Sequence, residues 1–276
     1  TRPHTRPSHR PHSVTRRITM KVSNGKNAII ALLFIICACG IGATAQTLRV
    51  MTYNIRNGIG MDEKADIMRT AEVIRRHGAD IVAMQEVDSC TNRSDSTDIA
   101  KQLAEATGMH ATFVPAIDYD GGRYGVALLS RTQPVSIRRI PLPGREERRT
   151  AVIAEFPEYA VCCTHLSLTP DDQIASVGIL TDTLPPIVPG KPIILMGDLN
   201  AEPGSATIEA LRQSFSLLSD PEVHTWPADS PSQTLDYIFT SDPASVTAVS
   251  APVVPSEAVA SDHRPIFIDL KITQQP

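Results

Sequence analysis

Carboxylate and amide side chains follow three short apolar runs of the sequence, at the point where each run ends. They are Asn54 after the run 50–53, Glu86 just beyond the run 81–84, and Asp198 and Asn200 after the run 193–196. Apolar runs of this length predict buried strands, and strand ends on one side of a sheet converge. Carboxylates gathered at the mouth of an apolar core are costly unless a cation or a proton offsets their charge. The sequence therefore predicts a site for a divalent cation.

The ligand types narrow the choice of metal. Carboxylate and amide oxygens suit Mg²⁺, Mn²⁺ or Ca²⁺, whereas zinc is typically held by tight histidine or cysteine clusters, which this sequence does not offer. Magnesium is the expected cofactor, with manganese or calcium as alternatives.

Four further ionisable residues stand in similar positions. His165 ends a predicted strand, Asp236 lies inside one, and Asp262 and His263 come just before another. Each also has an ordinary structural explanation, because a histidine at a strand end often only makes hydrogen bonds and an aspartate in a turn often caps backbone N–H groups. The prediction depends on the convergence of several such residues and not on any one of them.

Hydrophobic periodicity predicts the elements that must position these side chains. Strands are predicted over 48–55, 81–87, 111–117, 124–131, 149–156, 159–166, 192–196, 235–240 and 265–272. Helices are predicted over 63–77, 97–107, 171–183 and 205–212. Two sheets packed face to face, with the helices outside, accommodate this order.

The composition is that of an ordinary globular protein. Hydrophobic residues make up 42% and charged residues 20% of the 276 positions, which excludes collagen-like, coiled-coil and polytopic membrane classes. The formal net charge is -4, but residues 1–45 hold seven of the 26 basic residues and no acidic one. The remaining 19 basic and 30 acidic residues give residues 46–276 a net charge of -11.

The N-terminal region separates into two segments. Residues 1–19 repeat arginine, histidine, proline and threonine with no periodic apolar face, so we expect them to be disordered or an artefact of upstream translation. Residues 20–45 open with a short basic stretch and continue into the apolar run 28–39, which is typical of a signal peptide. That run is shorter than the roughly 20 apolar residues of a membrane span.

Cleavage is expected before Gln46 and would give a secreted or periplasmic protein without a stable membrane span. The alternatives are an uncleaved N-terminal membrane anchor and lipid attachment at Cys39. Residues 46–276 contain no low-complexity linker and no repeat, so they are interpreted as one domain, expected to be a monomer.

Three cysteines remain after cleavage: Cys90, Cys162 and Cys163. Adjacent cysteines have Cα atoms about 3.8 Å apart, which is closer than an unstrained disulfide requires. The chain is therefore not expected to be a disulfide scaffold, and at most one bridge from Cys90 is plausible.

Eight segments of the sequence resemble the endonuclease/exonuclease/phosphatase superfamily of metal-dependent phosphoesterases. They are TYNIRNG, MQEVD, YGVALLSR, ERRTAVIAEF, CTHLSL, MGDLNAEPGS, TLDYIF and SDHRPIFIDL. They occur in the family's order and span nearly all of residues 46–276. The resemblance implies the α/β class and a four-layer α/β/β/α sandwich, in which two packed mixed sheets have helices outside and an active cleft at one edge.

The resemblance also assigns roles to residues. It implies that Glu86 binds the metal, that Asn54 beside it helps to hold metal and phosphate, and that Asp262 lies near the metal. The residues expected to bind substrate are Arg149, Asn200 and Tyr124. In-line attack on a phosphoester concentrates negative charge on the phosphate oxygens, which a metal ion and an arginine stabilise.

The catalytic residues implied by the resemblance are His165, Asp198, Asn200, Asp236 and His263. Asp198 orients or deprotonates the attacking water, and Asn200 binds a phosphate oxygen. Asp236 polarises His263. His165 is a phosphate ligand or proton donor. A histidine–aspartate pair and a separate carboxylate can share the proton transfers that such a hydrolysis needs.

Two positions depart from the family pattern. Arg56 stands where the abasic-site endonucleases carry an acid, which leaves one metal ligand fewer and argues against the DNA-repair branch. Asp171, Asp172 and Gln173 stand where relatives often carry an arginine, so one salt bridge of the family is expected to be missing.

The substrate remains open among nucleic acid, phospholipid and small phosphoesters. The acidic net charge opposes nonspecific attraction to a polyanion. Five arginines could counter it locally, or could belong to a solvated loop: Arg138, Arg139, Arg145, Arg148 and Arg149. The aromatic residues Tyr119, Tyr124 and Trp226 are candidates to line the pocket.

Two other classes of function are consistent with the sequence. Cys163 and His165 would share one face of a strand, which would suit a Cys/His hydrolase. The same fold would also suit a non-catalytic binding protein, because fold alone does not determine function.

Overall fold

In a computed structural model of the protein, the described residues are 45–273, and they form twelve strands and four α-helices. The strands are β1 Ala45–Asn54, β2 Ile81–Ser89, β3 His110–Tyr119, β4 Gly122–Ser130, β5 Ser136–Leu142, β6 Arg149–Glu155, β7 Ala160–His165, β8 Ile193–Asp198, β9 Ser216–Leu217, β10 Asp236–Thr240, β11 Val246–Ala248 and β12 Ile266–Thr273. The α-helices are α1 Ile67–His77, α2 Ile99–Thr107, α3 Pro170–Ile187 and α4 Ala206–Arg212. The 3-10 turns are Arg56–Gly58 and Asn92–Ser94.

The strands form two six-stranded sheets. The first has the order β11-β12-β1-β2-β4-β3 and the second the order β5-β6-β7-β8-β10-β9. Each sheet is mixed, because β1 pairs in parallel with β2, and β7 with β8, while their other neighbours are antiparallel. The two parallel pairs are central, and all four of these strands carry predicted site residues at or near their carboxyl ends.

Three hydrophobic clusters separate four layers. The middle cluster joins the facing surfaces of the two sheets and includes Val50 and Ile194. On the outer face of the first sheet, Ile74 of α1 and Leu103 of α2 pack against Met51. The outer face of the second sheet buries the apolar side of α3 and α4. The predicted α/β/β/α sandwich is confirmed.

Helix α1 begins at Ile67 and not at position 63, so the predicted start is wrong by one turn. Glu63 has a left-handed φ of 56°, which no helix continues, and Asp66 is the cap, accepting a hydrogen bond from the Arg69 N–H at 3.0 Å. Such a cap contributes about 1 kcal/mol. The helix ends as predicted at Gly78, whose φ is 62°.

Three strands were not expected: β5, β9 and β11. Strand β5 is an edge strand that carries Arg138, Arg139 and Pro141. Charged residues and proline obscure the apolar alternation by which a strand is predicted, but they are common in strands whose edge faces solvent. Arg138 and Arg139 are therefore exposed to solvent as one interpretation expected, but they lie on a sheet edge and not in a loop.

Cys90, Cys162 and Cys163 are free, and within residues 45–273 no helix is long and apolar enough to cross a membrane. The segment 1–19 and, apart from Ala45, the predicted signal peptide lie outside the described residues, as does Cys39.

Candidate active site

Three neighbouring strands of the second sheet present a row of ionisable side chains. Asp198 ends β8, and its Cα is paired with that of His165 in β7 on one side and that of Asp236 in β10 on the other. Paired residues on adjacent strands point to the same face of a sheet. The register of this sheet therefore brings together three residues that are far apart in the sequence.

A buried aspartate–histidine pair lies at one end of the row. His263 Nδ1 lies 2.9 Å from Asp236 Oδ2, and His263 Nε2 lies 3.6 Å from Asp198 Oδ2. Burial lowers the pKa of His263, but the carboxylates of Asp236 and Asp198 outweigh it and raise that pKa to about 10. The imidazole is therefore a cation at neutral pH, with both nitrogens as donors.

The second histidine of the site is neutral. Burial lowers the pKa of His165 to about 3, and the charges of Arg149 and His263 act in the same direction against Asp198. The Asn200 amide nitrogen lies 3.0 Å from His165 Nε2, while the backbone N–H of Asn200 donates to Asp198 Oδ1 at 2.9 Å. Asp198 thus lies between one charged and one neutral imidazole.

Asn54 connects the two sheets at the site. Its amide nitrogen donates to Glu86 Oε1 and to Asp198 Oδ2, both at 3.0 Å, and its Oδ1 accepts from the Arg56 N–H at 3.1 Å. Ser261 Oγ donates to the Asn54 carbonyl at 2.7 Å and fixes the segment that carries His263. The hydrogen bonds of Asn54 therefore link the first sheet to Asp198 in the second sheet.

Glu86 reaches the site through a β-bulge. The pairing of β2 with β4 shifts register between Met84 and Val87, and Glu86 has a φ of 57°. Regular alternation would send Glu86 to the face opposite Gln85, and a bulge re-aims such a side chain. Burial raises the pKa of Glu86, and the charges of Asp262 and Asp198 raise it further. The surroundings of the Glu86 carboxylate therefore lack the positive charge that would stabilise its ionised form.

Gly197 allows β7 and β8 to approach each other just before Asp198. Its φ is 156°, and a Cβ at this position would overlap the carbonyl oxygen of Thr164. Glycine in the Met-Gly-Asp sequence is therefore required by backbone packing, and it sets where the aspartate side chain begins.

Arg149 is the one member of the arginine cluster that lies buried beside the histidines, with 5% of its surface exposed. Its terminal nitrogens pair with Glu146 at 3.1 Å and Glu147 at 2.9 Å. Its Nε has no hydrogen-bond partner within residues 45–273 and remains a donor. Tyr124 lies close by, since the charges of Glu86 and Glu147 both contribute to its raised pKa after the larger effect of burial.

Sequence reasoning missed Gln173. It is 3% exposed, its Nε2 donates to the carbonyls of Ser167 and Asn200 at 2.8 Å each, and its Oε1 accepts from Thr207 Oγ1 at 2.8 Å. The neighbouring Asp172 pairs with Arg145 at 3.1 Å.

Two sets of residues could hold a metal ion. Ligand atoms of Asp198, Asp236 and His263 all lie within 4.8 Å of one another, but the protonated His263 would repel a cation there. Glu86 and Asp262 instead supply carboxylate oxygens whose charges oppose each other, and Asn54 lies beside them with its amide nitrogen towards Glu86. The second set fits a hard divalent ion better.

A cleft of about 620 Å³ opens beside His263 and Asn200, and Trp226 lines it as expected. Tyr119 instead packs beside Tyr124, with the guanidinium of Arg93 4.6 Å from the Tyr119 ring centre. Of the three aromatic candidates, Trp226 lines this cleft, and Tyr119 and Tyr124 are not among its lining residues.

The geometry does not suit a cysteine nucleophile. Cys163 is fully buried between the sheets, where its thiol donates to the Met84 carbonyl at 3.5 Å and accepts from Gln85 Nε2 at 3.3 Å. Burial raises the pKa of Cys163 to about 12. The thiolate that a Cys/His hydrolase needs is therefore disfavoured.

The four-layer sandwich and its buried cluster of carboxylates, histidines and one arginine define a class, the phosphoesterases of this fold. The model of the Endonuclease/Exonuclease/phosphatase family matches residues 51–263, and the chain belongs to that family.

Known proteins resemble nearly the whole of the described region. The uncharacterized protein YbhP of Escherichia coli strain K12 is 24% identical over 246 residues, which cover 82% of this chain and 97% of that protein. An endonuclease/exonuclease/phosphatase family protein of Bacteroides thetaiotaomicron has a similar structure, with a TM-score of 0.70, 19% identity and coverage of 84% of this chain and 97% of that one. A mannosyl-6-phosphatase of the same species gives a TM-score of 0.65, 20% identity and coverage of 81% and 99%.

Proposed function

We propose that the protein is an exported, divalent-metal-dependent hydrolase of phosphodiesters or phosphomonoesters that uses in-line attack by an activated water. The observation that carries the proposal is the position of Asp198, a buried carboxylate 3.0 Å from the Asn54 amide and 3.6 Å from His263 Nε2. Membership of a phosphoesterase family supports the reaction class. Export follows from the signal peptide predicted over residues 20–45.

The buried residues divide the proton transfers and the binding of phosphate. Asp198 accepts the proton of the attacking water, since Asn54 and the Asn200 N–H hold both of its oxygens in place. Asp236 orients His263, and the resulting imidazolium donates to a phosphate oxygen. The neutral His165 and the amide of Asn200 bind a second oxygen.

Positive charge is needed wherever the phosphate oxygens become more negative. Glu86, Asn54 and Asp262 would hold Mg²⁺, with Mn²⁺ or Ca²⁺ as alternatives. When bound, the cation supplies electrostatic stabilisation of the transition state. Arg149 adds to this stabilisation through its free Nε–H, and its buried position gives the interaction more strength than it would have in water. Tyr124 lines the same side of the site.

The substrate class includes phosphomonoesters as well as diesters. The mannosyl-6-phosphatase of similar fold supports including monoesters. The net charge of -11 in residues 46–276 favours a small phosphoester over long polyanions, with nucleic acid and phospholipid as the other candidates. We expect the protein to act as a monomer.

The test is hydrolysis of a panel of esters with added Mg²⁺ or Mn²⁺. The panel contains plasmid DNA, RNA, sphingomyelin, phosphoinositides and sugar phosphates. Glu86→Ala and His263→Ala are expected to abolish turnover, and Asp198→Ala run in parallel identifies contaminating activity. Wild-type turnover that persists in excess chelator would contradict the proposal. A non-catalytic binding protein would show no metal-dependent turnover on any ester.

A further inference from the structure

The cleft beside His263 and Asn200 is the right size for a small organic group. Its volume of about 620 Å³ falls inside the range of roughly 300–1,000 Å³ that is usual for small-molecule sites. Trp226 and Leu168 form apolar parts of its lining, and Glu202, Gln233 and Ser205 form polar parts. Leu168 keeps 66% of its surface exposed, so its side chain is available to a ligand in the cleft.

Hydrogen bonds fix Trp226 relative to the catalytic histidine. The Trp226 N–H donates to the Gln233 carbonyl at 3.1 Å, and the Gln233 N–H donates back at 2.9 Å. The Ala228 N–H donates to the Asp262 carbonyl at 2.7 Å, and the Arg264 N–H donates to the Thr225 carbonyl at 2.8 Å. The backbone of the loop 225–233, including that of Trp226, is therefore fixed against the segment that carries His263.

The polar part of the cleft offers hydrogen-bond acceptors. Gln233 Nε2 donates to Glu202 Oε1 at 2.7 Å, which orients both side chains. Within residues 45–273, Glu202 Oε2 and Gln233 Oε1 take no hydrogen bond. Hydroxyl groups are the donors that suit such acceptors.

The charge of the cleft selects against a second phosphate. Among the described residues that line it there is no lysine or arginine, and Glu202 is acidic. The one cation in the lining is His263, which is assigned to the reacting phosphate, so a second anionic group beside Glu202 would face a carboxylate with no other cation to offset it. A neutral ring that carries hydroxyls fits better, since its C–H face can pack on the indole while its hydroxyls bond to Glu202 and Gln233.

We propose that the substrate is a phosphate ester of a neutral sugar or polyol and that this cleft binds the hydroxylated group. Trp226, Glu202 and Gln233 determine the specificity. The proposal rests on the proposed phosphoesterase function, which supplies the reaction at the phosphate.

The experiment compares esters that differ only in their hydroxyls. The full chain with Mg²⁺ is assayed on glucose 6-phosphate, mannose 6-phosphate and inositol 1-phosphate, with hexyl phosphate as the matched ester without hydroxyls. The methyl diesters of the same alcohols form a second arm, which separates monoester from diester substrates. A single-stranded oligodeoxynucleotide represents polyanions.

At least one sugar or polyol ester is expected to exceed hexyl phosphate at least tenfold in kcat/KM. Glu202→Gln, which removes a charged acceptor, is expected to raise KM for that ester about tenfold with little change in kcat, and to leave hexyl phosphate unchanged. Trp226→Ala should raise KM for that ester more strongly, because the sugar ring loses the indole face on which it packs. Glu72→Gln on the exposed face of α1 is the control and should change nothing.

Two results would separate the failure of this proposal from failure of the function. If folded wild-type protein hydrolyses none of the esters with metal, the phosphoesterase function fails. If turnover is metal-dependent and lost in Glu86→Ala, but hexyl phosphate or the oligonucleotide is as good a substrate and Glu202→Gln leaves every KM unchanged, the sugar-binding cleft is overturned. Circular dichroism of each variant shows whether it folds.

Discussion

Asn54 Nδ2 and Asp198 Oδ2 lie 3.0 Å apart although the two residues belong to different sheets and are separated by 144 positions in the chain. The same amide nitrogen donates to Glu86, so one side chain orients both the candidate metal-binding acid and the candidate base. This one amide therefore connects the two carboxylates on which the proposed chemistry depends.

Asn54→Ala is expected to lower kcat about a hundredfold, because Glu86 and Asp198 lose their shared donor and a small misplacement of reacting groups has effects of that size. It should also lower the free energy of unfolding by about 1–3 kcal/mol, since buried acceptors lose their partner. Urea unfolding and steady-state kinetics measure the two effects. Asn92→Ala removes an exposed amide that bonds to Asp120 and should leave kcat unchanged. Equal kcat values for Asn54→Ala and wild type would show that the contact is not used.

Glu146 is expected to make stability depend on pH. Burial raises its pKa, but hydrogen bonds from its own N–H, Leu168 N–H, Ser167 and Arg149 outweigh this and hold the pKa at about 2. A carboxyl whose folded pKa is depressed stabilises the fold above its unfolded pKa, and this stability is lost as pH falls from about 4.5 towards 2. Glu146→Gln should therefore be less stable than wild type at pH 7, with a difference that shrinks as pH falls.

The matched control for that experiment is the adjacent Glu147. Burial raises the pKa of Glu147, so its ionised form is not the one that the fold favours. Glu147→Gln should not show the loss of stability at pH 7 that Glu146→Gln shows. Chemical unfolding of both variants between pH 3.5 and pH 7 gives the comparison. Parallel curves for the two variants would contradict the assignment.

Gln173→Ala should lower the melting temperature and kcat together. The variant leaves the Ser167 and Asn200 carbonyls without their donor, and each unsatisfied buried group costs about 1–3 kcal/mol. We expect kcat to fall because the Asn200 carbonyl loses the hydrogen bond from Gln173 that fixes its position. Gln213→Ala, at an exposed position after α4, is the control. A melting temperature equal to that of wild type would rule out the bridging role.

Gly197→Ala and Gly178→Ala should have opposite effects on stability. A Cβ at position 197 overlaps the Thr164 carbonyl, so β7 and β8 must separate and Asp198 must move. A Cβ at position 178 meets nothing within 4 Å and lies in helix α3, where alanine is favoured by about 1 kcal/mol. Thermal unfolding should show a large loss for the first variant and a small gain for the second. Activity is expected to fall only in Gly197→Ala.

The order of strands and helices could be predicted from the sequence because most elements have clear periodicity. The edge strand β5 could not, since Arg138 and Arg139 occupy successive positions and Pro141 interrupts the run. The start of α1 was predicted too early because the left-handed conformation of Glu63 is not visible in its residue type.

For the site, the strand ends identified Asn54, Glu86 and Asp198, but their contacts depend on backbone details. The bulge that turns Glu86 towards Asn54 requires a register shift against β4, which no local pattern reveals. Gln173 was missed because an uncharged residue inside a helix carries no chemical signal until its partners, which are distant in sequence, are known.

Because Asn54 and Asp198 belong to different sheets, the rate of turnover should respond to small changes in the packing of one sheet on the other. Each sheet keeps its ladder of backbone bonds if the interface loosens slightly, so spectroscopic measures of secondary structure would register little. The acid on one side and its donor on the other would already have moved apart. Hydrolysis would then cease in molecules that still look folded.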